Sequence, residues 1–308
     1  MMSNQRMVYG DTLVQFGKEN QKVVALEADL GKSTMSNFFG DAYPERYFQM
    51  GIAEANMVST AAGLALTGHI PFVSTFAVFA SGRPYDQIRS SVCIPNLNVK
   101  ICGSSAGLSD FGDGKTHQSI DDIAIMRVLP HMTVLSPADG VETAKMMRMM
   151  LDVEGPMYLR LNRNDLPVVT DVNGACEFGK VQLLKDGKDA VIFATGVMVS
   201  KALEAAERLS ATGIALRVVN VSTIKPLDQE GVWKYASDVK AALTAEEHSV
   251  IGGLGSAICE ALSEARVPVR IMGIRDSFGR SATAYDELLV KYGLTVDDII
   301  SNVQELLK

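Results

Sequence analysis

Short, unbroken apolar runs alternate along this chain with longer stretches in which apolar residues recur every three to four positions. The unbroken runs fall at 22–29, 47–50, 71–76, 98–104, 132–137 and 157–162 and read as strands; the amphipathic stretches at 5–19, 54–68, 78–92, 119–128 and 139–152 read as helices. A segment rich in Pro, Gly and Asp follows at 165–188. The alternation then resumes, with strands expected at 189–195, 214–221, 239–247 and 267–273 and helices at 198–211, 226–236 and 252–265. Strands without polar alternation are buried on both faces, as in parallel sheets sandwiched by helices. The pattern therefore predicts an α/β fold of two α/β domains, each a mostly parallel sheet covered by helices. The first spans 1–168, a linker 169–188, and the second 189–308. In such sheets ligands gather beyond the carboxyl ends of the strands.

Charge narrows the function by exclusion. A formal net charge of −7 over 308 residues, with no run of Lys or Arg, leaves no electrostatic footprint for nucleic acid or an anionic membrane. Any anion site must be local. Cys93, Cys102, Cys176 and Cys259 lack C-x-x-C or zinc-ligand spacing, which predicts reduced thiols and no metal site. The start MMSNQRMVYGDTL lacks the blocks of a signal peptide, and no uncharged apolar run reaches membrane-spanning length, so the expected location is cytoplasmic.

Three segments of the first domain carry side chains that packing alone would not choose. GIAEANM (51–57) sets Glu54 in a small, apolar run; a helix start favours an acid there, yet a buried carboxylate needs a hydrogen-bonding partner. STFAVFASGRPYDQIR (74–89) holds Phe76 and Phe79 three apart, a spacing that core packing also produces. SSAGLSDFGDGKTHQSIDD (104–122), a polar, Gly-rich loop after a buried strand, holds Asp113 and His117 four apart. Its GDG at 112–114 imitates the start of a diphosphate and magnesium motif, but the Asn required about thirty residues later is missing. In the second domain GGLGS (252–256) has neither G-x-G-x-x-G spacing nor a P-loop Lys and reads as a tight turn. His131 and His248 are isolated and read as structural, and His69, at a helix–strand turn, reads as a capping or surface residue rather than a ligand.

In this order, GIAEANM, STFAVF, FGDGKTHQSIDDIA, VLSPAD and LRLNRNDLP resemble the carboxyl-terminal half of transketolase. DAVIFATG, STIKPLD, AEEHSVIGGLGSA and FGRSATAYDELLVKYGLT extend the resemblance over nearly the whole chain. It implies a thiamine-diphosphate-binding pyrimidine domain followed by the transketolase carboxyl-terminal domain. It also implies the second subunit of a split, two-chain enzyme of pentose phosphate chemistry. The partner, an amino-terminal transketolase subunit, would hold the diphosphate and Mg²⁺ in an α2β2 heterotetramer. The implied activity moves a two-carbon ketol unit from a ketose phosphate, or a related anionic ketose, to an aldose acceptor. By the same resemblance Glu54 bonds the cofactor's aminopyrimidine, Phe76 and Phe79 enclose that ring, and Asp29 belongs to the cofactor site. His117 lies beside the reacting carbonyl, Asp113 on a donor hydroxyl, and Arg6, Ser33 and Arg163 at the sugar phosphate.

Two positions depart from the family pattern. Gly82 stands where a third aromatic is common, and Ser105 where a phosphate-touching His is common. The second departure raises the prospect of a different anionic head group, such as a sulfonate. Rival readings are the beta subunit of a 2-oxoacid dehydrogenase, a 1-deoxyxylulose-5-phosphate-synthase-like enzyme and a non-catalytic regulatory subunit. Glu54, both Phe residues and His117 argue against the last, since a scaffold has no need of that set.

Overall fold

The computed structural model describes residues 1–174 and 176–308; the linker expected over 169–188 includes residue 175, which lies outside them. The strands are β1 (Met2–Asn4), β2 (Val23–Glu27), β3 (Tyr47–Gln49), β4 (Ile70–Phe76), β5 (Lys100–Ser104), β6 (Thr133–Leu135) and β7 (Met157–Arg160). They continue with β8 (Asp165–Pro167), β9 (Gln182–Lys185), β10 (Ala190–Ala194), β11 (Leu216–Asn220), β12 (Thr223–Lys225), β13 (Ala241–Ser249) and β14 (Val269–Ile274). A seven-stranded sheet runs β12-β6-β7-β5-β4-β2-β3 and a five-stranded sheet β14-β13-β10-β11-β9. Within these two sheets, among the described residues, only the edge strands β12 and β9 are antiparallel to their neighbours.

Period-two alternation sends each strand's side chains to both faces. Val23, Ala25 and Phe72 pack against Tyr9, Leu13 and Phe16 of helix Gln5–Glu19, and against Met146, Met147 and Met150 of helix Gly140–Asp152. Val24, Leu26 and Val73 pack on the other face against Met57, Val58 and Ala61 of helix Glu54–Leu66. The expected layers are therefore present. Among the described residues no helix is long and apolar enough to cross a membrane.

Several elements differ from expectation. The helix expected at 78–92 is three pieces, Ala77–Gly82, Tyr85–Gln87 and a π-helical turn Ile88–Cys93, because Pro84 has no N–H to continue the ladder. The helix expected at 119–128 starts only at Asp122, since Ser119 bridges to Ala106 and Gly107 and the Ile120 carbonyl accepts from the Ser249 N–H. The 165–188 segment is not strandless: β8 pairs with β1, and β9 joins the second sheet. β12 leaves the second domain to complete the first sheet against β6. Helices Tyr285–Lys291 and Val296–Leu306, absent from the sequence reading, close the chain, the latter through a Thr295/Asp298 capping box.

Candidate active site

β3, β2, β4, β5 and β7 are adjacent and parallel, so their carboxyl ends share one edge of the first sheet. Phe76 ends β4 itself, and the segments leaving that edge carry the other candidate residues except Arg6, which sits in the first turn of helix Gln5–Glu19. Gly51, at φ +69°, turns the chain out of β3, and the helix begins at Glu54. Glu54 is 3% exposed. The donor its burial requires is Arg83, whose Nη1 donates to Oε1 at 2.5 Å while its own side chain stays 46% exposed.

The Arg83 guanidinium lies 4.0 Å from the centre of the Phe79 ring. Phe79 stacks on Phe76 with centroids 6.2 Å apart and planes 12° from parallel. His117 meets both rings edge-on, at 5.3 Å from Phe79 and 6.2 Å from Phe76, and its Nδ1 pairs with the Thr116 hydroxyl at 3.0 Å. Asp29, Ile52, Glu54, Phe79, Arg83 and His117 line one cavity of about 300 Å³. Asp29 holds a left-handed backbone, φ +59°, and its carboxylate accepts from Gln49. At Gly82 a Cβ would meet open space, and the flat group over Phe79 is the neighbouring Arg83 instead of an aromatic.

A second cluster adjoins the Phe76 side. The Arg163 guanidinium is 5.9 Å from the Phe76 ring centre and donates to Asp110 at 2.7 Å. Arg6 Nη1 donates to the Ser33 carbonyl at 2.8 Å, while its Nε is buried without a partner. Burial, then the nearby Arg163 charge, holds the Arg6 guanidinium below its ordinary pKa. Burial pushes the Asp110 carboxyl up; Arg163 opposes this and Asp113 adds to it. Asp113 itself is exposed. Ser105 does not line the cavity beside Glu54: it is wholly enclosed at φ +54°, its hydroxyl without a protein partner.

Sequence reasoning missed Arg83 and Asp110. Both lie inside segments it singled out, but their partners Glu54 and Arg163 are 29 and 53 positions away, beyond any local pattern. The turn reading of GGLGS agrees with the structure, because the Glu246 carboxylate already accepts the Leu254 and Gly255 N–H groups at 2.7 and 2.8 Å. His248 is buried beside it, and His69 caps its own turn through Thr67.

Residues 2–169 match the family model for the transketolase pyrimidine binding domain, and residues 179–299 that for the transketolase C-terminal domain. A solved structure described as a split gene transketolase, inactive beta4 tetramer, is 48% identical with a TM-score of 0.89, covering 99% of this chain and 98% of that one. The 6-deoxy-6-sulfo-D-fructose transketolase subunit of Clostridium sp. (strain MSTE9) is 42% identical over 302 residues, 98% of this chain and 94% of that protein. An apulose-4-phosphate transketolase subunit of Phocaeicola vulgatus is 36% identical over 305 residues, 98% of this chain and 97% of that protein. With both domain models matched in order and relatives similar along almost their full length, this chain belongs to the transketolase family.

Proposed function

We propose that this chain is the pyrimidine-side subunit of a two-chain, thiamine-diphosphate-dependent transketolase that moves a two-carbon ketol unit from an anionic ketose to an aldose acceptor. The observation that carries the reading is the cavity in which a buried Glu54 faces Phe79 and His117. The residues fit the cofactor's ring: the Arg83 guanidinium, flat and rich in N–H, already lies against Phe79 while donating to Glu54. An aminopyrimidine asks for the same two contacts. Glu54 would hold a proton at a ring nitrogen, Phe76 and Phe79 would enclose the ring, and Asp29 would lie at its rim. Arg83 must leave Glu54 for that, and its half-exposed side chain can do so. When bound, thiamine diphosphate supplies a nucleophilic thiazolium carbon.

His117, which lines that cavity, would donate to a substrate oxygen as negative charge develops on it. Asp113 accepts from a sugar hydroxyl. Arg6 and Arg163 hold the anionic head group together with Ser33. The Arg6 guanidinium, held down by burial and the nearby Arg163 charge and with its Nε–H buried without a partner, is relieved by an anion beside it. Ser105 brings no imidazole to this cluster, and relatives of the chain are described by both sulfo-sugar and sugar-phosphate substrates. The head group is accordingly a phosphate or a sulfonate held by Arg6, Arg163 and Ser33 without an imidazole.

The amino-terminal partner subunit would carry the diphosphate and Mg²⁺ and close the cavity over Ile52, which is 72% exposed. The description of a 48% identical chain as an inactive beta4 tetramer supports the need for that partner. An α2β2 assembly in the cytoplasm follows from the same reading. The test is ketol transfer from phosphorylated and sulfonated ketoses by the chain alone and mixed with its partner, thiamine diphosphate and Mg²⁺. Transfer is expected only on mixing; full activity of the chain alone, or none with any ketose after assembly, would refute the proposal.

A further inference from the structure

A carboxylate of the second domain, Glu247, is 2% exposed and lies at the junction with the first. Its Oε1 accepts from the Leu108 N–H at 3.0 Å and the Tyr285 hydroxyl at 2.7 Å, and its Oε2 from Asn162 Nδ2 at 3.3 Å. Leu108 belongs to the loop leaving β5, which carries Asp110, Asp113 and His117; Asn162 immediately precedes Arg163 in the segment leaving β7. One carboxylate thus ties together the two segments that meet in the Arg163–Asp110 ion pair. Gly107, at φ +66°, allows the approach, since a Cβ there would fall on the Glu247 carboxylate.

The second domain grips the same loop elsewhere. The Ala282 N–H donates to the Phe111 carbonyl at 2.9 Å, the Ser249 N–H to the Ile120 carbonyl at 2.7 Å, and Gln118 Nε2 to the Arg280 carbonyl at 3.0 Å. These bonds fasten the ends of the loop to one domain. The Glu247 carboxylate also reaches across to the Arg163 segment, together with the Tyr285 hydroxyl that donates to it and accepts from Asn162 Nδ2 at 3.1 Å.

We propose that Glu247 is a positioning residue for the anion clamp, setting the separation between the His117 loop and the Arg163 segment and so the preference for a charged over a neutral substrate end. The substrate part rests on the ketol-transfer reading; the tether itself does not. The charged and titratable groups that face this carboxylate are Arg160 on β7, Asp122 at the start of helix Asp122–Arg127 and the Tyr285 phenol. Burial pushes the Glu247 carboxyl up to about 7, against the pull of Arg160. A proton taken up on Oε2 leaves Oε1 to Leu108 and Tyr285 but turns an O–H toward the Asn162 Nδ2 donor, so the tie to the Arg163 segment loosens as pH falls through about 7.

Glu247→Gln keeps an oxygen for Leu108 and Tyr285 but turns an NH₂ toward the Asn162 Nδ2 donor. Asn162 is not free to turn, because its Oδ1 accepts the Asn164 N–H at 2.8 Å. Calorimetric titration of the full chain with inorganic phosphate is expected to show affinity about tenfold weaker in the variant, the loss of one hydrogen bond to a charged group. In the assembled enzyme KM for an anionic ketose rises by a similar factor, kcat with an uncharged hydroxyaldehyde acceptor is unchanged, and the rise in wild-type KM below pH 7 is absent. Asn162→Ala cuts the tether from the first domain and gives the same loss of phosphate affinity, so misfolding of one variant does not leave the question open. Wild-type phosphate affinity in both variants, or no phosphate binding by the wild type, would overturn the proposal. If the assembled enzyme transfers no ketol unit the functional reading fails, while the phosphate titration still decides the tether.

Discussion

Arg83→Ala separates a stand-in for the cofactor from a ligand of it. The substitution removes a hydrogen bond of 2.5 Å to a carboxylate that is 3% exposed, and a guanidinium 4.0 Å from the Phe79 ring. A hydrogen bond to a charged group contributes about 1.5–3 kcal/mol and a partly exposed cation–π contact about 0.5–1 kcal/mol, so the chain alone should lose roughly 2–4 kcal/mol. At about 2 °C per kcal/mol for a chain of this size, its Tm falls by roughly 4–8 °C. In the assembled enzyme the sign reverses, because a ring that binds Glu54 no longer has to displace Arg83. Part of that cost is returned to the wild type by solvation of the freed arginine, which leaves thiamine diphosphate bound about tenfold or more tighter in the variant. Differential scanning fluorimetry of the chain and calorimetric titration of the assembled enzyme measure the two effects. Weaker cofactor binding with an unchanged Tm of the chain would refute the reasoning and make Arg83 a cofactor ligand.

Glu54→Gln keeps volume and hydrogen bonding but cannot exchange a proton in the same way, so exchange of the thiazolium proton in the assembled enzyme should slow by about a hundredfold or more, read by NMR in deuterium oxide. Ser105→His forces an imidazole into a wholly enclosed position at φ +54° and should destabilise the chain by about 1–3 kcal/mol through overpacking, read as a fall in Tm. Lys100, wholly buried with its ammonium on the Val153 and Gly155 carbonyls, is held by burial down to about 7. Between about 7 and the ordinary lysine range the unfolded chain holds the extra proton, so stability rises with pH across that window. Urea titrations should show that slope in the wild type and not in Lys100→Met.

The layers were legible because burial on both faces writes unbroken apolar strands into the sequence, and helix starts such as Asp139, whose side chain accepts the Glu142 N–H, are local signals. Pro84 was equally local; the apolar spacing on both sides of it concealed the break. β12 was not legible at all. Three residues of TIK carry no periodicity, and their partner β6 lies about 90 positions upstream in the other domain. The site divides in the same way. Glu54 and the Phe pair each had a bland reading, and only the order of their motifs along the chain, with the His117 loop, raised them above it. Arg83, Asp110 and Glu247 act through tertiary contacts, which no window of sequence contains.

Glu54, Glu246 and Glu247 show what makes a buried carboxylate a site. All three are 3% exposed or less, and each is held by hydrogen-bond donors, as burial demands. The donors to Glu246 are backbone N–H groups at the start of helix Leu254–Ala261, fixed by the helix itself, so the place where GGLGS could have held a phosphate is already filled. The donors to Glu247 come from three segments of both domains, and moving any one of them disturbs the loop that carries His117. Glu54 alone is met by a half-exposed side chain at the wall of an open cavity. Fixed donors make the first two carboxylates part of the fold. A ligand that presents a flat face to Phe79 and an N–H to Glu54 has only Arg83 to displace.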